Sequence, residues 1–122
     1  MKITEIAFTV VPVTDLNTSR RFYEDILGLK ATSVWEKDGL GMIEYEIGGG
    51  TFSIGAGAPL FKPSADGGAV AFEVEDFQAA VDRLKENGLS FKLEPYETPV
   101  CHMAVVADPD GNFIMIHHRK SK

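Results

Sequence analysis

The sequence predicts an α+β fold built from two tandem βαβββ modules. Three observations predict it: each half has a strand-like segment followed by a helix-spaced one, three strand-like segments follow each helix, and short motifs recur between the halves. Ile6-Ala7-Phe8-Thr9-Val10 matches Val70-Ala71-Phe72-Glu73-Val74. Asp15…Gly28-Leu29 matches Asp76…Gly88-Leu89, with spacings that differ by one residue.

The elements justify this order one by one. Residues 3–10 alternate and are rich in β-formers, the signature of a half-buried strand. Val11-Pro12-Val13 interrupts it, because a proline cannot donate to a ladder and demands an edge or a bulge. Over residues 18–27 the spacing turns helical: Phe22, Ile26 and Leu27 share a face, Asp15, Asn17 or Thr18 supplies a cap, and Gly28 stops it. Strands follow near residues 31–36, 41–47 and 51–54, with Gly48-Gly49-Gly50 as the tight turn between the last two. In the second half, residues 69–75 read as a strand and 77–87 as a helix that Gly88 ends, with Phe77, Ala80, Val81 and Leu84 on one side. Strands near 91–94, 101–107 and 112–118 complete it, and Asp108-Pro109-Asp110-Gly111 is a strong turn signal. The chain thus reads as one domain over 1–122, with modules at 1–55 and 69–118 and a Gly/Ala/Pro-rich linker at 56–68.

Composition narrows the function. With 44% apolar and 25% charged residues, the 122-residue chain is globular rather than disordered. Its net charge of −6 argues against nucleic acid and anionic membrane surfaces as partners. No stretch reaches the length of a membrane span and the first residues lack a signal-peptide core. Cys101, the one cysteine, excludes an internal disulfide, so the expected location is cytoplasmic.

Three motifs carry a family resemblance: Val13-Thr14-Asp15 before the first helix, Phe22-Tyr23-Glu24-Asp25-Ile26-Leu27-Gly28-Leu29 along it, and Asp108-Pro109-Asp110-Gly111-Asn112 before the last strand. In this order, within two βαβββ units, they resemble the vicinal oxygen chelate superfamily of glyoxalases, extradiol dioxygenases and bleomycin-resistance proteins. The resemblance implies a curved mixed sheet in each half, the two halves forming a central cup around a ligand, and a homodimer. Enzymatic members hold a divalent metal with up to four side chains, one from the first and last strand of each half, usually His, Glu or Gln. Carried over, those positions fall at Ala69 and Met115 in the second half, and at Glu5 (set opposite Ala69 by the repeat) and Ser53 in the first. Only Glu5 is a competent ligand, so no metal and no other cofactor is expected.

Alternation suggests what lines the cup. If Asp108–Gly111 closes a four-residue turn, His102 lies opposite His117 and Ala104 opposite Met115. His102, Ala104, Phe113, Met115 and His117 then face the ligand, while Met103, Val105, Ile114 and Ile116 pack under a helix. A short Gly48-Gly49 turn places Glu46 near Thr51 and Glu44 near Ser53, with Ile43, Tyr45, Ile47, Phe52 and Ile54 in the core. Glu5, Thr9 and Glu73 face the cup from the first strands. The candidate ligand-binding residues are Glu5, Trp35, Glu44, Ser53, Glu73, His102, Phe113, Met115 and His117. A cavity with several carboxylates and some apolar lining favours a cationic or hydrogen-bonding organic ligand. His102 and His117 are also the candidates for acid–base catalysis; two partly solvated strand-end histidines are the plainer reading. Together these expectations describe a metal-independent protein that binds a small organic molecule. The alternative is a metal-dependent lyase, isomerase or dioxygenase with a relocated site of His102, His117 and a glutamate.

Overall fold

A computed structural model describes residues 1–121. The chain separates into two compact units, Met1–Pro63 and a second beginning at Ser64. Unit 1 contains β1 (Thr9–Val13), α1 (Leu16–Arg20) running on as a π-helical segment (Arg21–Ile26), β2 (Ser33–Lys37), β3 (Leu40–Ile47) and β4 (Gly50–Ala56). Unit 2 contains β5 (Val70–Glu73), α2 (Phe77–Glu86), β6 (Leu93–Glu97), β7 (Cys101–Ala107) and β8 (Phe113–Arg119). Each unit folds its strands into a four-stranded mixed sheet, ordered β1-β4-β3-β2 and β5-β8-β7-β6. In each, the first strand runs parallel to the last and the other pairings are antiparallel. The βαβββ module is therefore present twice.

Both helices begin and end as their sequences dictate. Asp15 caps α1 by accepting from the Asn17 N–H at 3.3 Å, and Asp76 caps α2 by accepting from the Ala79 N–H at 3.0 Å. Gly28 and Gly88, at φ of 82° and 78°, turn the chain out of the helix; the N–H of the leucine after each bonds back to Tyr23 and Leu84.

Each helix covers one side of its own sheet. In unit 1, Phe22 and Tyr23 meet the buried Ile43, Tyr45, Phe52 and Ile54, with the Tyr23 and Tyr45 rings 5.4 and 6.0 Å from that of Phe52. The Tyr45 hydroxyl donates to Glu24 at 2.9 Å, and Arg20 grips the same carboxylate at 2.7 and 3.1 Å. Burial works to raise the Glu24 carboxyl, but the hydrogen bonds from Arg20 and Tyr45 outweigh it and hold it below its ordinary value. In unit 2, Val81 and Leu84 of α2 lie in a core with Ala104, Val106, Ile114 and Ile116.

Three expectations need correction. First, the opening strand is not residues 3–10 but Thr9–Val13, with Pro12 inside it. Pro12 is tolerated because β1 is an edge strand with a single neighbour. Residues 1–8, Glu5 among them, form no strand and are exposed. The two N-cap aspartates set the repeat at 76 − 15 = 61 residues, whereas the motif match had set it at 70 − 6 = 64. Phe8, not Glu5, therefore answers to Ala69. Thr9 aligns with Phe52, so it faces the helix side of the sheet.

Second, β7 and β8 pair one residue away from the expected register: His102 lies opposite His118, Met103 opposite His117 and Ala104 opposite Ile116. The turn spends five residues, 108–112, because the Asp108 N–H bonds to the Asn112 carbonyl. One residue more reverses every side chain of β7, so Ala104 and Val106, not Met103 and Val105, share the core with Ile114 and Ile116. Third, Ile47 is 37% exposed beside its turn and is not a core residue.

Ser19, on α1, is fully buried and its hydroxyl has no hydrogen-bond partner. Ser19→Ala removes that unpaired group and improves helix propensity, so it is expected to raise the unfolding free energy by about 1 kcal/mol. Urea titration of both proteins checks this; a less stable variant would contradict the assignment.

Candidate functional site

Alternation along the observed registers gives each sheet a second side, opposite its own helix. In unit 1 that side carries Val10, Pro12, Trp35, Met42, Glu44, Ser53 and Gly55, by the pairings Val10 with Ser53, Pro12 with Gly55, Trp35 with Met42 and Glu44 with Ser53. The Glu44–Ser53 and Glu46–Thr51 pairs match expectation, and Thr51 donates to both Glu46 oxygens at 3.0 Å. A groove of about 280 Å³ lies here, walled by Phe8, Val10, Trp35, Met42 and Phe61 over Gly55. No residue lining it is charged. A Cβ on Gly55 would come within 3.2 Å of Val10 Cγ2, so the glycine keeps the floor open. Trp35 is 50% exposed. Ser53, two residues from Gly55 along β4, is buried and its hydroxyl has no partner.

In unit 2 the same side carries Glu73, His117 and Met103 at one level and Ala71, Met115 and Val105 at the next, with Phe113 beyond. His117 Nδ1–H donates to Glu73 Oε1 at 2.6 Å, and the Arg119 N–H donates to Glu73 Oε2 at 2.7 Å. The Arg119 N–H first, and then His117, hold the Glu73 carboxyl below its ordinary value. A carboxylate bound at Nδ1 leaves Nε2 as the free nitrogen, able to take a proton.

His102 is not part of this group. The observed register turns it to the helix side, where its ring packs against Phe77 with centroids 5.3 Å apart. His102 and His117 therefore do not form a pair; the partner of His117 is Glu73. Phe113 and Met115 do share a side with His117, as expected. Among the sequence candidates, Trp35, Glu44 and Ser53 meet in unit 1 and Glu73, Phe113, Met115 and His117 in unit 2. Glu5 lies in the segment before β1, outside both groups. Phe8, Val10, Met42 and Phe61 escaped the sequence reading. Leu60-Phe61 was the available signal, a bulky apolar pair inside a stretch otherwise rich in Gly, Ala and Pro.

The family's metal positions can now be tested on the register. Adding 61 to Val10 gives Ala71, and these residues pair with Ser53 and Met115 respectively, so Ser53 is the counterpart of Met115. With Phe8 answering to Ala69, the four positions hold a phenyl ring, a hydroxyl, a methyl and a thioether. That donor set does not fit a hard or borderline divalent ion, which takes imidazole and carboxylate. Among the described residues, no three His, Cys, Asp or Glu side chains are grouped so as to hold a metal ion.

The family description "Glyoxalase/Bleomycin resistance protein/Dioxygenase superfamily" matches residues 5–116. The chain belongs to this superfamily. Among its members, the chain is 29% identical to a "Probable lactoylglutathione lyase" of Vibrio parahaemolyticus, over 94% of this chain and 91% of that protein. It is 23% identical to the lactoylglutathione lyase of Schizosaccharomyces pombe over 93% of its own length, but spans only 47% of that relative. The superfamily fold is seen in TnmS3, an antibiotic binding protein from Streptomyces sp. CB03234, with a TM-score of 0.83 at 24% identity, covering 98% of this chain and 99% of that one. Among the described residues no helix is long and apolar enough to cross a membrane.

The lowered Glu73 carboxyl makes a prediction with a definite sign. A carboxyl held low in the folded state contributes stability above its ordinary value of 4.5, and loses it as pH falls through the lower folded value. Glu73→Gln is therefore expected to be less stable than wild type at pH 7 and to lose less stability on acidification. Urea unfolding at pH 7 and pH 3 measures both slopes; equal slopes would contradict the assignment.

Proposed function

We propose that this chain binds a small organic molecule with a planar apolar body in the groove of unit 1, without a metal. The observation that carries the proposal is the groove itself: Phe8, Val10, Trp35, Met42 and Phe61 surround open space above a glycine floor. Aromatic walls offer large contact area and stacking faces to such a ligand. Glu44, on the same side of β3 and two residues from Met42, offers a carboxylate to a basic or hydroxylated end. The unpartnered Ser53 hydroxyl lies on that side as well. Metal independence rests on the donor set at Phe8, Ser53, Ala69 and Met115. The antibiotic binding protein TnmS3 is similar in fold, so the scaffold is compatible with a binding role.

The test uses Trp35, the one tryptophan in the chain, as its reporter. Ethidium, a planar aromatic cation, is expected to quench its fluorescence saturably and equally with or without EDTA. A valine side chain at Gly55 would occupy the floor of the groove, so Gly55→Val is expected to weaken ethidium binding by about tenfold, which is about 1.4 kcal/mol. Full affinity in that variant would overturn the groove assignment, and loss of quenching in EDTA would overturn metal independence.

A second reading is favoured by one observation, the 2.6 Å contact between His117 Nδ1 and Glu73. A histidine oriented by a carboxylate is the arrangement of a general base, so a proton-transferring lyase or isomerase would use His117 as the base and Glu73 to position it. The relatives' name supplies the assay: lactoylglutathione cleavage abolished by His117→Gln would favour this reading.

We also propose a homodimer in a cytoplasmic setting. The lone buried Cys101 suits a reducing compartment. Ile3, Ile6 and Leu60 are 82%, 81% and 89% exposed, apolar side chains that a second copy would cover. Sedimentation equilibrium is expected to give twice the chain mass of 13.3 kDa; the single-chain mass would overturn the dimer.

A further inference from the structure

We propose that His102 and His118 form a binding site for a divalent transition metal on the helix side of unit 2. This site uses none of the residues that line the unit 1 groove and does not use His117, although His118 Nδ1 also lies 3.8 Å from Glu73 Oε2. Glu97, His102 and His118 are register partners across β6, β7 and β8, so they stand in one row. Cross-strand neighbours have Cβ atoms about 4.5–5.5 Å apart. That brings two imidazoles within reach of one ion at bond lengths of about 2.0–2.1 Å.

The local structure prepares both rings. His118 Nδ1–H donates to the Val74 carbonyl at 2.7 Å, which puts the proton on Nδ1 and leaves the Nε2 lone pair free. An imidazole held through its second nitrogen by a backbone carbonyl is the usual state of a histidine ligand. The His102 ring is held by its packing on Phe77. Both rings border a cavity of about 390 Å³, together with Phe77, Tyr96 and Glu97, so an ion and its waters have room.

Comparison of the units shows that the module does not need these histidines. Gly41–Ala56 follows Ile43–Ile54 along the unit 1 sheet as His102–His118 follows Ala104–Ile116 along that of unit 2. At Gly41 a Cβ would come within 2.4 Å of Leu16 Cδ1, so in unit 1 this place is closed by Leu16. Unit 2 has Phe77 at the position of Leu16, and two histidines where unit 1 has glycine and alanine. Glu97 is engaged by Lys120, so the protein supplies two imidazoles and leaves the remaining positions to water. Imidazole pairs of this kind suit Zn²⁺, Ni²⁺ and Cu²⁺, with Cu²⁺ the tightest.

Isothermal titration of the untagged full chain with Zn²⁺ at pH 7.5 tests the site. One saturable site per chain is expected. Groups behind a ligand are already worth about 10–100-fold in metal affinity, so His102→Gln and His118→Gln are each expected to weaken binding by about tenfold or more, while His117→Gln leaves it unchanged. Binding that survives both substitutions, or is lost in His117→Gln, overturns the proposal. Electron paramagnetic resonance of the wild-type chain with one equivalent of Cu²⁺ gives a readout that needs no variant. Two coordinating nitrogens are expected, and one or none overturns the site.

Discussion

The chemistry of unit 2 depends on one buried carboxylate. Asp108, 4% exposed, accepts the N–H groups of Asp110 and Asn112 at 3.0 and 2.9 Å and the Asn112 side-chain amide at 2.9 Å. Asn112 in turn accepts the Ser64 N–H at 3.0 Å, and Gly111 takes the positive φ of 87° that the turn requires. These bonds hold the connection between β7 and β8 at five residues. Turn length sets the register, and register sets which side of the sheet each side chain faces. The Glu73–His117 pair, the separation of His102 from it and the His102–His118 pairing all follow from this one turn.

The same module, repeated, supports different chemistry because helix and sheet need only one side of the strands. In unit 1 the helix side is aromatic, with Tyr23, Tyr45 and Phe52 packed together and the Arg20–Glu24–Tyr45 network at their margin. In unit 2 its buried core is aliphatic, built from Val81, Leu84, Val106, Ile114 and Ile116, with Phe77, His102 and His118 at its margin. With the fold secured by that core, the second side and the margin of the helix side vary: an uncharged groove around Trp35 in one unit, and in the other a carboxylate–histidine pair beside Met103 and Met115 and the His102–His118 pairing. Membership of a superfamily fixes the scaffold but not the site, and the residues at the four metal positions mark where this chain departs from metal-binding members.

Much of this was legible in the residues. The helix caps at Asp15 and Asp76 and the stops at Gly28 and Gly88 act within a few residues of themselves, so their meaning does not depend on distant partners. The β3–β4 register was equally plain, because Gly48 and Gly49 form a two-residue connection, Ile47 pairs with Gly50 and little else fits that length. The grouping of Glu44 with Ser53 followed directly. Asp108-Pro109-Asp110-Gly111-Asn112 is different. Its composition announces a turn but suits closure after four residues or five, and the choice lies in where the Asp108 carboxylate finds its donors.

The sequence by itself thus determined the βαβββ repeat, the helix ends and the tight hairpin of unit 1, while the family resemblance placed Ser53, Ala69 and Met115 at metal positions but set the fourth at Glu5 instead of Phe8. Tertiary structure alone decided that β1 begins at Thr9, that Phe8 and Phe61 wall a groove, and that His117 pairs with Glu73 rather than His102. The reason is the period of a strand. Caps and turns are read locally, but side chains alternate at every residue, so a slip of one position moves a whole row to the opposite side. Only the pairing of distant strands fixes that position.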